Sequence, residues 1–162
     1  YNRMNLVKFK SQNKQIKENN MIKEVSCGAI TFSKRKFRLT KVLLIKQKNS
    51  HYFTFPKGHQ EQGETHEQTA IRELKEETNI DINIIEGFKD KNTYSPYQNC
   101  IKDVFYFCAE AKNINLEKQD AEIQKIGWYS IGIAALKLHY KKDKQMLKTA
   151  YKVFKNYKKT TK

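Results

Sequence analysis

Residues 58–80 read GHQEQGETHEQTAIRELKEETNI, from Gly58 to Ile80. Gly58 to Gly63 carries glycine at both ends and no apolar residue between, which predicts a loop. Thr65 then stands as a helix N-cap, with Gln68 three residues on to complete a capping box. From there to Thr78 the pattern is helical, and Ala70, Ile71 and Leu74 form one apolar stripe that belongs in a core. Glu73, Glu76 and Glu77 are spaced by three and four, so a helix gathers three carboxylates on one face. Like charges so placed repel, and either solvent or a cation must lie between them. Hard divalent ions such as Mg²⁺ or Mn²⁺ take oxygen ligands, and such a face can hold them against a substrate's phosphates. Glutamate-rich solvated helices are also common, so the cluster alone leaves both options open.

Outward from this segment, Val25 to Phe32 and Val42 to Ile45 read as buried strands, separated by a basic turn from Ser33 to Thr40. His51 to Phe55 reads as a short aromatic strand ending at Pro56. Ile82–Ile85, Val104–Ala109 and Ile123–Tyr129 read as further strands. Residues from Ala134 to Tyr157 read as helical, with Leu136, Met146, Leu147, Ala150 and Phe154 on the buried side. Strands before and after a helix, with helices at the end, predict a single α/β domain, a sandwich around a mixed sheet. Residues 1–22 carry Lys and Asn with little periodicity and read as a basic arm; the domain is expected over 23–162.

The chain has 162 residues, enough for one domain with one core. No run of 18 apolar residues appears, so no membrane span is expected, and a cytoplasmic location fits. Cys27, Cys100 and Cys108 match no metal spacing and read as reduced thiols, small core or surface residues. The net charge of +15 attracts polyanions such as nucleotides, polyphosphates or RNA, although the richness in Lys, Asn and Ile also fits compositional drift. Only four basic residues are Arg: Arg3, Arg35, Arg38 and Arg72. Arg72, placed inside the helix, therefore stands out as a position where the planar fork is needed.

Gly58, five residues, Glu64, seven residues and then Arg72-Glu73-Leu74-Lys75-Glu76-Glu77-Thr78-Asn79-Ile80 resemble the Nudix box. The one departure is Asn79, where the box has Gly; Asn is the next-best residue in the left-handed conformation that a helix C-cap requires. The resemblance implies metal-dependent hydrolysis of a pyrophosphate linkage. It implies Glu73, Glu76 and Glu77 as metal ligands, the Gly58 carbonyl at a turn as another, and Arg72 with Glu64 as the pair that orients the box glutamates. A general base is still needed; in this family it is a box glutamate or one from a separate loop. Glu122, at the head of the strand leading to Trp128, is the candidate, as catalytic residue and metal ligand.

The resemblance extends to Cys27-Gly28-Ala29-Ile30, Phe55-Pro56-Lys57-Gly58-His59, Ile85-Glu86-Gly87-Phe88-Lys89 and Trp128. These look like the asymmetric diadenosine tetraphosphate hydrolases of the Nudix superfamily, animal and archaeal type. Diadenosine tetraphosphate, split to ATP and AMP with Mg²⁺ or Mn²⁺, is thus the expected substrate, and a monomer the expected state. Lys57 and Lys102 are candidates to hold phosphate oxygens as point charges, with His51 and His59 as added donors. Tyr94 and Tyr140 are candidates to stack an adenine, with Tyr97 also near a loop. Each of these side chains also has an ordinary packing or surface reading. RNA 5′ ends and diphosphoinositol polyphosphates remain as alternative substrates. A non-catalytic nucleotide or RNA-binding module would require a broken box, and this box is intact.

Overall fold

The computed structural model describes residues 21–33, 39–119 and 121–161. Most of the basic arm and the centre of the basic turn lie outside the described residues. Six strands and three helices follow in order: β1 (Ile22–Phe32), β2 (Lys41–Gln47), β3 (Lys57–His59), α1 (His66–Thr78), β4 (Ile82–Tyr94), β5 (Cys100–Ala111), β6 (Ile123–Ser130), α2 (Ile131–Lys137) and α3 (Lys141–Thr160). The sheet is mixed, in the order β4-β5-β1-β2-β6, with β3 added on β1. β1 and β5 run parallel from Ile22 against Cys100 to Phe32 against Glu110, and the other pairs are antiparallel.

Helices cover both faces of the sheet, so its central strands are apolar on both sides and read as continuous runs rather than alternating ones. On one face Ile30, Phe32, Val42, Leu44, Val104, Tyr106 and Cys108 meet Ala134, Leu138, Met146, Leu147, Ala150 and Phe154 of the C-terminal helices and the turn between them. On the other, Ala29, Leu43, Ile82, Ala109 and Ala111 meet Leu74 and Ile80, while Cys27 and Phe107 meet Ala70. All three cysteines are buried and none is in a disulfide. Among the described residues no helix is long and apolar enough to cross a membrane.

Four expectations need correction. His51–Phe55 forms no strand: it is a bend with isolated bridges at Ile45–Thr54 and Phe53–Leu138. Phe55 instead plugs the core, and pairing resumes only past Pro56, which has no N–H to donate. The expected loop accordingly begins as strand β3, with Cys27 opposite Gly58. Ile71 is 41% exposed; the buried side of α1 is Thr69, Ala70, Leu74, Glu77 and Thr78. Leu136 is 80% exposed, because the chain breaks between α2 and α3 and Leu138 enters the core in its place.

Candidate active site

The site is built where β3 crosses between β1 and α1. Thr65 and Gln68 cap the helix reciprocally, with Gln68 N donating to Thr65 Oγ1 at 3.2 Å and Thr65 N to Gln68 Oε1 at 2.8 Å. Asn79 ends it in the left-handed conformation at φ 59°, its N–H donating to Lys75 O. These two ends fix which residues of α1 face β3. Gly58 is not a turn residue; it is a strand residue without room for a side chain. A Cβ there would overlap the Glu73 carboxylate. The positive φ of this segment belongs to Gly63, at 87°.

Arg72 uses its whole fork. Nε and Nη2 donate to the two oxygens of Glu64 at 2.6 and 3.0 Å, and Nη2 also to His59 O at 2.9 Å. Nη1 donates to Glu73 Oε1 at 2.9 Å and Glu76 Oε2 at 3.1 Å. Glu64 further accepts from Glu61 N and Thr69 Oγ1. Chiefly the Arg72 bonds hold the Glu64 carboxyl far down, at about 2. Glu64 is thereby a fixed anchor for the guanidinium, and the guanidinium in turn grips two other carboxylates.

The three helix carboxylates share one face of α1 but are not equivalent. Glu77 is buried, and its Oε2 accepts from Lys57 N at 3.0 Å. Burial pushes its carboxyl up to about 8, against the opposing pull of the Lys57 charge and N–H. Glu73 is half-buried and also raised, burial outweighing Arg72. Glu76 is on the rim. Gly58, Arg72, Glu73, Glu76, Glu77 and Glu122 line one cavity of about 510 Å³, together with His59 and Lys102. Glu122, expected only from its place at the head of a strand, thus shares a wall with the box residues.

A second cavity of about 530 Å³ adjoins it and is lined by Tyr94, Tyr106, Tyr140, Asn92, Val104 and Asp143 among others. Gln47, Lys57 and Tyr94 line both. Among the described residues the Lys57 ammonium has no hydrogen-bond or salt-bridge partner, and burial lowers its proton affinity. Lys102 is no generic surface lysine: it is 8% exposed, with Nζ 2.9 Å from His59 Nε2 and 3.3 Å from Glu24 Oε2. Tyr97 OH donates to Glu24 Oε1 at 2.7 Å, the largest cause of a Glu24 carboxyl lowered to about 2. His51 lines neither cavity; it is exposed, with its ring edge-on to Tyr52. Asn79 is at the far end of α1, where it bonds Glu117.

Sequence reasoning missed Glu24, Gln47, Asn92, Tyr106 and Asp143. Asp143 alone left a signal: it falls on the same helical stripe as Met146, Leu147, Ala150 and Phe154, where a carboxyl is out of place.

The carboxylates of Glu73, Glu76, Glu77 and Glu122 in this cavity suit a hard divalent cation in kind, being oxygen donors, and among the described residues the buried Glu77 has no side-chain cation bonded to it. Among the described residues no group of three or more His, Cys, Asp or Glu is arranged to hold a metal ion as it stands. Arg72 Nη1 bonds to two of the carboxylates that such an ion would need.

The NUDIX domain family matches residues 23–150. An asymmetrical bis(5′-nucleosyl)-tetraphosphatase of Sus scrofa is 35% identical over 136 residues, covering 78% of this chain and 92% of that one. Its counterpart in Mus musculus is 33% identical over 138 residues, with the same coverage. A crystal structure of a C. elegans Ap4A hydrolase binary complex superposes with a TM-score of 0.73 at 26% identity, covering 82% of this chain and 98% of that one. With a match over most of its length, and curated relatives that it spans almost end to end, this chain belongs to the Nudix hydrolase family.

Proposed function

We propose that this enzyme hydrolyses a pyrophosphate linkage in diadenosine tetraphosphate, giving ATP and AMP. One observation carries the reading: a carboxylate-lined cavity and a tyrosine-lined cavity adjoin and share Gln47, Lys57 and Tyr94. A ligand with an aromatic base at one end and a polyphosphate run at the other matches that pair. The names of the curated relatives support the same substrate.

Glu73, Glu76, Glu77 and Glu122, with the Gly58 carbonyl, are the donors for a divalent cation, Mg²⁺ or Mn²⁺, which when bound offsets phosphate charge and acidifies water. Arg72, anchored by Glu64, positions Glu73 and Glu76. Lys57, at the junction of the cavities, meets phosphate oxygens as a point charge, and Lys102 does so from the carboxylate-lined cavity. Tyr94 and Tyr140 flank the base. Glu122 takes the proton of the attacking water as its oxygen bonds to phosphorus; the bridging P–O bond breaks, and the products leave as ATP and AMP.

Chromatography of products after incubation with Mg²⁺ or Mn²⁺ tests this. ATP with AMP is the expected pair. Two ADP would indicate symmetric cleavage, and absence of turnover with either ion would overturn the proposal. A second reading, removal of a 5′-terminal cap or pyrophosphate from RNA, is favoured by the exposed row Lys141, Lys144, Lys148, Lys152 and Lys155 on α3. Capped and 5′-triphosphorylated RNA belong in the same assay, and their faster turnover would favour it.

A further inference from the structure

Two donors on the wall of the carboxylate-lined cavity are held by a carboxylate that lines neither cavity. Lys102 stands on β5 in register between Glu24 of β1 and Tyr94 of β4, and directly opposed residues of a sheet share a face. His59 is opposite Ser26, two residues along β1 from Glu24, and so shares that face. Glu24 Oε2 is 3.3 Å from both Lys102 Nζ and His59 Nε2, and those two nitrogens are 2.9 Å apart. An ammonium only donates, so Lys102 gives one N–H to the imidazole and one to the carboxylate, and a third remains for a ligand. Tyr97 OH closes the set from the turn between β4 and β5, donating to Glu24 Oε1 at 2.7 Å. Lys102 and His59 line the cavity; Glu24 is behind them.

We infer that Glu24 is a positioning residue: it holds the Lys102 ammonium, with His59, in place for a phosphate oxygen without touching the substrate itself. This rests on the reading of the carboxylate-lined cavity as the polyphosphate end of the site. Lysine is a compact charge on a flexible stem, and a built-in partner removes the cost of ordering it before the ligand arrives. Lys102 is also 8% exposed, and a charge so covered needs a counter-ion. Among the described residues Glu24 is the one carboxylate bonded to it. Glu73, Glu76, Glu77 and Glu122 line the same cavity, and an untethered ammonium would be drawn toward them. Two effects of Glu24 oppose each other. Its negative charge repels phosphate, while its bond fixes the cation that attracts phosphate. The ammonium is in the wall and the carboxylate behind it, so the cation is nearer the ligand and positioning outweighs repulsion.

That balance gives the test its sign. Calorimetry with Mg²⁺ and a methylene-bridged tripolyphosphate, which cannot be hydrolysed, measures polyphosphate binding to the intact chain without depending on turnover. Glu24→Leu removes charge and acceptors together and should weaken binding about ten-fold, the scale of one charged hydrogen bond. Coulomb repulsion alone predicts tighter binding instead. Glu24→Gln keeps one acceptor and should fall between Glu24→Leu and the unmutated chain. In a Lys102→Met background Glu24→Leu should change binding by less than about two-fold, because the group it positions is gone. With diadenosine tetraphosphate, Glu24→Leu should raise KM about ten-fold with kcat nearly unchanged; a merely structural loss would lower kcat at constant KM. Tighter or unchanged binding in Glu24→Leu, equal weakening with and without Lys102, a loss confined to kcat, or no binding of the probe would each overturn the role. Should the leucine variant fail to fold, the sign of the Glu24→Gln effect decides. Cleavage of diadenosine tetraphosphate without coupling between Glu24 and Lys102 would remove this role and leave the proposed function standing. Coupling in probe binding without cleavage of that substrate would do the reverse.

Discussion

A carboxyl on the inner side of α1 is a different chemical object from one on its rim. Glu77 is buried with one backbone N–H as its hydrogen-bond donor, whereas Glu76 is exposed and gripped by Arg72. Glu77→Gln keeps an acceptor for Lys57 N and removes the charge. Steady-state assays should show turnover reduced by at least about a hundred-fold, as for loss of a site carboxylate, with the fold intact by circular dichroism. Turnover at the wild-type rate would rule Glu77 out of the machinery. Gly58 makes a complementary case. A methyl group there overlaps the Glu73 carboxylate, which can move aside only by giving up its bond to Arg72, so Gly58→Ala should lower activity far more than the melting temperature. It displaces that carboxylate, and misplacement by about 1 Å can cost on the order of a hundred-fold in rate. A variant that melts early but retains its activity would contradict this. Arg72→Lys has the same logic with the opposite partner. A lysine cannot hold both oxygens of Glu64 and still reach Glu73 and Glu76, so activity should fall while Glu64→Gln, tested in parallel, falls with it.

At the scale of elements, β3 is the smallest piece and the one that assembles the site. Its three residues pair with Ser26 to Gly28 of β1 and set Gly58 against α1. Gly28 permits that pairing: a Cβ there would overlap the Pro56 carbonyl oxygen, which is backbone and cannot swing away. Gly28→Ala should therefore destabilise by about 1–3 kcal/mol, as overpacking does, and lower activity together with stability; urea unfolding and turnover measured on the same protein check this. Asn79→Gly should change neither, because the C-cap is already left-handed with Asn. The same elements explain what could be read in advance. Helix α1 was legible to the residue, since its cap signals and its end are local. The box spacing was legible because it is carried within one loop and one helix. Strand β3 was not, because three residues bounded by Pro56 carry no periodicity, and an aromatic run at Phe53 and Phe55 reads like a strand when it is a core plug. The differing environments of Glu73, Glu76 and Glu77 were equally hidden. Helical spacing gives direction, but only the packing of β3 on α1 decides which carboxylate is covered.

Across the whole molecule, carboxyl groups shifted in opposite senses divide the pH scale. Glu24 and Glu64 are held at about 2 by their hydrogen-bond partners, so the stability they contribute is present above their ordinary value of 4.5 and is lost as pH falls toward 2. Glu77 has the other sign. Its folded-state value of about 8 lies above the ordinary 4.5, so the folded chain holds the proton more tightly than the unfolded one. The stability this gives is complete below 4.5 and is lost as pH rises through about 8. Without divalent ions, the wild-type protein should therefore lose stability against Glu77→Gln between about pH 5 and pH 8, by at most about 1.4 kcal/mol per pH unit from this one group. A bound cation stabilises the ionised carboxylate, so Mg²⁺ or Mn²⁺ should restore the wild-type protein at the upper end and do less for the glutamine variant. Thermal melts of the two proteins across that window, with and without the ion, check both parts. Parallel profiles in the absence of metal would show that Glu77 titrates like an ordinary surface carboxyl. Equal rescue of the two proteins would show that the ion binds elsewhere on this chain.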